Sequence, residues 1–301
     1  MNRIHTSRVL FFSVCVALLA SAGVYAQNPF EDAVKQISSD NVRGYVQPFV
    51  NSFGANMNSG LYNSAEIDEM GFHLNFRIVA MGTLIGDAEK TYTATAPDPP
   101  YPQEPVQTAT VFGDLGAVVQ GPVPGMEYHY QNGQVKTSFV PFLSPQLTVG
   151  NVFGTEAVIR YVPIPERDNI PKVTLLGIGV RHSISRYLPT FPADLAASAF
   201  YQTLDIGDIF SAKAFNIGAQ ISKTFSVATL YGGVQYETSS MSLSYTYTGS
   251  AQPQKVNIDI DGENKIRATA GLGLNLFILH LNADISVGKV TVASAGLGFG
   301  L

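Results

Sequence analysis

The sequence predicts an all-β protein: an antiparallel transmembrane β-barrel of about 12 strands (about 10–14) behind a short helical N-terminal segment. Three observations carry this prediction. Residues 1–26 have the parts of a cleaved export signal. Charged residues make up only 14% of the chain, against roughly 25% in soluble domains, yet no apolar run beyond the signal is long enough for a spanning helix. Finally, residues 67–301 repeatedly alternate apolar and small or polar residues with period two.

The signal comes first. Arg3 and Arg8 precede the apolar run Val9–Leu19, and Val24-Tyr25-Ala26 places cleavage before Gln27. Its apolar core is shorter than the ~20 residues of a membrane-spanning helix. Cys15 is the only cysteine. The mature chain therefore has no disulfide, thiolate metal site or cysteine nucleophile. Loss of Arg3 and Arg8 moves the formal charge from −5 to −7, and an acidic chain without a basic patch excludes nucleic acid as a partner.

Residues 27–66 form the second unit. Phe30, Ala33, Val34 and Ile37 share one face of a predicted short helix, and Tyr45, Phe49, Val50 and Phe53 form a second apolar stripe. The stretch Gly54–Gly60 is rich in Asn, Gly and Ser.

The barrel, residues 67–301, is the third unit. Phe72, Leu74, Phe76 and Ile78 alternate with His73, Asn75 and Arg77. Similar runs centre on Ile178, Ile217, Ala270 and Leu281. Predicted strands cover 71–86, 107–119, 124–131, 134–150, 155–164, 172–187, 194–206, 209–224, 227–249, 255–275, 277–288 and 289–301. Turns are expected at Thr224-Phe225 and Asn275-Leu276. The second turn pairs Leu272 with Leu279 and Ala270 with Leu281, and sets Arg267 opposite Asp284 as a cross-strand ion pair. A change of apolar phase at Thr238–Ser240 predicts a bulge. Short connections fall at one end and the proline-rich 87–106 and 163–171 at the other; 187–194 is too long for its end. Tyr92, Tyr101, Tyr128, Tyr130, Tyr236, Tyr245 and Tyr247 lie near strand ends or outer extensions, as in an interfacial girdle or by ordinary strand propensity.

The last strand alternates Ala295, Leu297, Phe299 and Leu301 with glycines and resembles the terminal strand recognised by barrel assembly machinery. Together with the N-terminal helical stretch, Arg160-Tyr161-Val162-Pro163 and the glycine-rich strands, the chain resembles an uncharacterised outer-membrane barrel family of Bacteroidota and related phyla. More distantly it is similar to the barrels that pass long-chain fatty acids and aromatic hydrocarbons. That resemblance implies a plug built from residues 27–66.

No catalytic motif is present: there is no Gly-x-Ser-x-Gly, Walker loop or His-Glu-x-x-His. Gly296-Leu-Gly-Phe-Gly closes a strand and opens no helix. His73, His129, His182 and His280 have no metal-ligand spacing, and His182 falls on an apolar phase. Asp259, Asp261 and Glu263 share one face and read as a solvated surface rather than a calcium site. The expectation is no enzyme activity, no cofactor and no metal. The candidate lumen-lining residues are Asn75, Arg77, Arg181, Asn216, Gln220, Lys265, Arg267, His280, Asn282 and Asp284, whose mixed polarity suits a passage or a wall that binds a plug.

The expected location is the Gram-negative outer membrane, with membrane lipids and the assembly machinery as partners. The expected function is passive, porin-like transport of a small or hydrophobic solute. Two alternatives stay open: a structural or surface-interaction barrel using loops 87–106 and 163–171, and a soluble periplasmic barrel.

Overall fold

The computed structural model describes residues 39–68, 70–167, 171–207, 210–247 and 254–300. The predicted signal sequence and the predicted helix at 30–37 lie outside them. The described chain opens with helix α1 (Ser39–Met57). Fifteen strands follow: β1 (Met70–Leu84), β2 (Thr91–Ala94), β3 (Val106–Ala109), β4 (Val118–Gln120), β5 (Glu127–His129), β6 (Phe139–Val152), β7 (Thr155–Ile164), β8 (Val173–Ser183), β9 (Asp194–Ile206), β10 (Phe210–Phe225), β11 (Ala228–Tyr247), β12 (Gln254–Asp261), β13 (Ile266–Leu276), β14 (Leu279–Val287) and β15 (Thr291–Gly300).

Ten strands close a barrel in the order β1-β6-β7-β8-β9-β10-β11-β13-β14-β15, with β15 returning to β1. Every pairing in the ring is antiparallel. Closure removes the edge that an open sheet would expose. Strand β12 stands outside the ring, extending the far half of β11 from Ser240 to Tyr247.

The count of about 12 is thus corrected to ten. Predicted strands 107–119 and 124–131 are not wall strands but parts of the long connection from β1 to β6, which holds the small hairpins β2–β3 and β4–β5. Pro122 and Pro124 and the frequent glycines cut that stretch into pieces too short to span a wall. Predicted strand 255–275 is broken at 262–265 into β12 and β13. The long connection on the short-turn end is real: residues 184–193 carry one 3-10 turn, Ser185–Tyr187.

Both predicted turns sit two residues later than expected. Phe225 pairs with Ala228 and Leu276 with Leu279, so Ser226-Val227 and Phe277-Ile278 turn the chain, with Ser226 at φ 58° and Phe277 at φ 60°. An even displacement keeps every side chain on its face. It nonetheless changes partners: Asp284 stands opposite Gly271, and the Arg267–Asp284 pair does not form. Asn275, expected in the turn, instead contacts His280 Nδ1 through Oδ1 at 3.0 Å.

The predicted bulge is also resolved differently. Buried residues on β11 keep one parity throughout, from Thr229, Tyr231, Gln235 and Glu237 to Met241 and Leu243. The strand does not change face; the interior changes from polar to apolar. The extra residue belongs to 262–265, between Asp261 opposite Ser240 and Ile266 opposite Tyr236.

Helix α1 forms because Val42, Tyr45, Val46, Phe49, Val50 and Phe53 recur at helical spacing. Enclosure by the barrel then buries residues outside that stripe as well, including Ala55 and Met57. Pro48 removes one helical hydrogen bond, and Ser52 Oγ donates to its carbonyl at 2.7 Å. The helix packs against β1, β6, β10, β11 and β12. One core cluster joins its residues to Val79 and Met81 of β1, Phe142 of β6, Phe210 of β10 and Met241 of β11. Phe53 lies 5.7 Å from the Phe210 ring and 6.4 Å from that of Phe142. The β1–β6 connection closes over the helix start: Tyr45 donates to Asn132 O at 2.8 Å and its carbonyl accepts from Val111 N at 3.0 Å.

Candidate functional site

Residues 58–68 continue from α1 through the lower interior, toward the end with the short turns. Here most buried wall side chains are polar, beside a small apolar patch of Val158, Phe200 and Tyr231 against Leu61 and Tyr62. The polar ones grip the main chain of the threaded segment. Arg160 donates to Met57 O at 3.2 Å and Ser59 O at 2.9 Å. Arg77 donates to Gly60 O at 2.8 Å, Gln146 to Leu61 O at 3.1 Å and Gln235 to Asn58 O at 3.0 Å. Gln202 donates to Met57 O, and Arg181 to Ser64 O. Met57 O, the last carbonyl of α1, has no helical partner of its own, and cations are favoured at that pole of the helix dipole. Arginine and glutamine supply both needs.

Two ion pairs brace these donors. Arg267 forks onto Glu237, with Nε donating at 2.9 Å and Nη2 at 2.8 Å. Arg181 pairs with Glu156. The Arg267 partner is therefore Glu237 of β11 rather than Asp284. Asp284 accepts from Tyr231 at 2.9 Å, and Asn282 donates to the same hydroxyl at 3.0 Å.

Glycines make room for this layer. A Cβ on Gly298 would lie 2.8 Å from Arg77 Cγ, and one on Gly296 would lie 2.3 Å from Asn282 Oδ1. Glycine on the interior phase of β15 lets neighbouring strands lay long polar side chains across it.

Among the ten candidate residues, Asn75, Arg77, Arg181, Asn216, Gln220, Arg267, Asn282 and Asp284 are buried. Asn216 donates to Asn58 Oδ1 at 2.9 Å, and Gln220 to Ser198 Oγ at 2.6 Å. His280 is half-buried near the short-turn end. Lys265 is exposed in the break between β12 and β13, its Nζ donating to Gly262 O at 3.1 Å. The break rotates it away from the phase that a continuous strand would impose.

Sequence reasoning missed Gln146, Glu156, Arg160, Gln202, Gln235 and Glu237. Their parity offered a signal: Ser144, Gln146 and Thr148 share one phase of β6, as do Glu156, Val158 and Arg160 of β7. Asp259 bonds Ser242, while Glu263 contacts Asn51 and Lys289. Among the described residues no group of three His, Cys, Asp or Glu is arranged to hold a metal.

Outside, the sidedness is inverted. Phe76, Ile178, Ile217, Val234, Leu272 and Ile285 are all exposed on the barrel exterior.

This closed barrel, apolar outside and polar in the lower half of its interior, matches, over residues 1–301, a family of unknown function (DUF6588), and the chain belongs to it. No curated protein matches the sequence. Solved structures with a similar arrangement include the translocator domain of the autotransporter NalP from Neisseria meningitidis (11% identity, 92% of this chain and 98% of that one, TM-score 0.32). The N-terminal β-barrel domain of Pseudomonas aeruginosa OprF is 13% identical, over 49% of this chain and 94% of that one, with TM-score 0.23. The Ralstonia pickettii toluene transporter TbuX is 9% identical, over 82% and 92%, with TM-score 0.23. Similarities at this level carry no functional argument.

Proposed function

We propose that this chain is an outer-membrane β-barrel that admits a small or hydrophobic solute passively, with the N-terminal segment as a movable plug. The observation that carries the reading is the inverted sidedness. A soluble barrel would not leave its exterior apolar residues in water while burying arginines and glutamines inside. A lipid-facing belt around an interior that is polar in its lower half accounts for both. The plug is supported by how the lower wall holds residues 57–64: its donors bind main-chain carbonyls, which water can also serve.

Ser64 and Ser222 give a direct test, since their Oγ atoms are 3.2 Å apart and the mature chain has no cysteine. In the double variant Ser64→Cys/Ser222→Cys, oxidation ties the segment to β10. Solute flux or channel openings in reconstituted bilayers should stop on oxidation and return on reduction. Flux that persists through the oxidised tether would sink the plug. Release of the protein by osmotic shock, rather than recovery with outer membranes, would sink the membrane reading itself.

A second reading, surface interaction, is supported by Tyr101, Tyr128 and Tyr130 in the β1–β6 connection, whose rings follow each other at 5.7 and 5.0 Å. Loops 87–106 and 163–171 are the segments whose deletion would test it, by adhesion of intact cells.

A further inference from the structure

We infer that the short-turn end of the lumen holds a binding site for a small oxyanion of the phosphate or carboxylate class, centred on Arg77. A cavity of about 180 Å³ lies there between the threaded segment and the wall, bordered by Asn75, Arg77, Thr148, Arg181, His73 and His280. Four arginines (Arg77, Arg160, Arg181 and Arg267) and three acids (Glu156, Glu237 and Asp284) are buried in the described interior, so one cation is in excess. Arg181 and Arg267 have ion-pair partners, and Arg160 makes four hydrogen bonds. The two pairs leave Asp284 to serve both Arg77 and Arg160; its charge reaches Arg77 without a hydrogen bond between them, so Arg77 is the guanidinium with donors to spare. It is 2% exposed and, among the described residues, makes one hydrogen bond, to Gly60 O, while its Nε and Nη1 have no partner. Arg181 adds an unpartnered Nε to the same cavity.

Burying a guanidinium costs several kcal/mol unless an anion and hydrogen-bond acceptors complement it. An oxyanion matches the planar fork of Nε and Nη donors. Three carboxylates also border the cavity, but they do not occupy that fork. Glu156 is taken by Arg181, and Glu66 and Asp68 are exposed at the rim, where water screens them. Glycine on β15 keeps the space open, since a side chain at Gly298 would collide with Arg77. The site exists whether or not any solute crosses the barrel.

The experiment is calorimetric titration of the full chain in detergent with inorganic phosphate, at constant ionic strength set by sodium chloride. Binding should saturate at one equivalent, weaken at least tenfold in Arg77→Gln, and change less than twofold in Lys223→Gln, which removes an exposed cation. Acetate should compete if the carboxylate class shares the site. Absence of saturable binding, or equal affinity in Arg77→Gln, overturns the inference. Should Arg77→Gln not fold, Asn75→Asp decides. Among the described residues Asn75 Oδ1 has no partner, and it lies on the same face, so a carboxylate there should abolish phosphate binding and raise the melting temperature. Retained binding, or a lower melting temperature, overturns the site.

Discussion

The two halves of the lumen hold one segment by opposite means. Toward the long loops, α1 is wrapped by Val79, Phe142, Phe210 and Met241, and its side chains carry the contact. Toward the short turns, residues 57–64 are held mainly through their carbonyls by arginine and glutamine, with side-chain contacts added from Asn58 to Asn216, from Ser59 to Arg267, and from Leu61 and Tyr62 to a small apolar patch. The apolar half derives its hold from removing surface from water. The polar half exchanges water hydrogen bonds for protein ones, a smaller net gain that turns into a large loss when one partner is removed. The second half is therefore the readier to let go, and a moving plug would be released there first.

The sharpest way to break this comparison is Glu237→Ala, which leaves Arg267 buried without its carboxylate and should cost about 3–5 kcal/mol. Replacing the pair together, as Glu237→Leu/Arg267→Met, should recover most of that loss, because desolvating the ions offsets their attraction. Urea titration in detergent micelles, followed by heat-modifiable migration, reads both. If the double variant stays as weak as the single one, the polar half is a stability element like the apolar half, and the contrast fails. Met241→Ala is the matched change in the apolar half. It should cost about 2–5 kcal/mol, with no polar second site able to restore it.

Gly298→Val probes the boundary between the clamp and the wall. Its Cβ would meet Arg77 Cγ at 2.8 Å, so the arginine must shift off Gly60 O, at about 1–3 kcal/mol for overpacking. Faster proteolysis confined to residues 58–68, with α1 unchanged, would sharpen the division. Equal loosening of both would erase it.

The same division explains what could be read from the sequence. Where apolar residues face out and polar ones face in, strict alternation marks the wall: β13 and β14 were legible, and an even displacement of the turn left Arg267, Asn282 and Asp284 on the interior face. In the loop-side half the interior is itself apolar, and alternation fades. On β9, Phe200 and Leu204 share a phase with Gln202, so the glutamine carried no visible signal. On β11, Met241 and Leu243 follow Glu237 on one face and imitate a bulge. The strands lost from the count belong to the β1–β6 connection, whose short β segments pair only among themselves. The carbonyl contacts were illegible for another reason: a wall that binds main chain leaves no complementary pattern in the segment it binds.

Glu66 offers the smallest and most local test. Partial burial, with Asp194 and Asp68 nearby, raises its carboxyl above the usual value, against the opposing hydrogen bond from Thr224. A raised folded-state pKa means that the folded segment favours the protonated form. The associated stability is fully present below the ordinary carboxylate range and is lost as pH rises through the raised value. Because Glu66 is exposed on the rim, solvent screening keeps the effect well below that of the buried ion pairs. Amide exchange should therefore show residues 58–68 opening more readily as pH rises above the ordinary carboxylate range, beyond the intrinsic base catalysis of exchange. Glu66→Gln should remove the excess, and α1 should show none in either protein. An excess that survives Glu66→Gln would mean that another group governs the polar half, and the rim carboxylate could no longer be what loosens it.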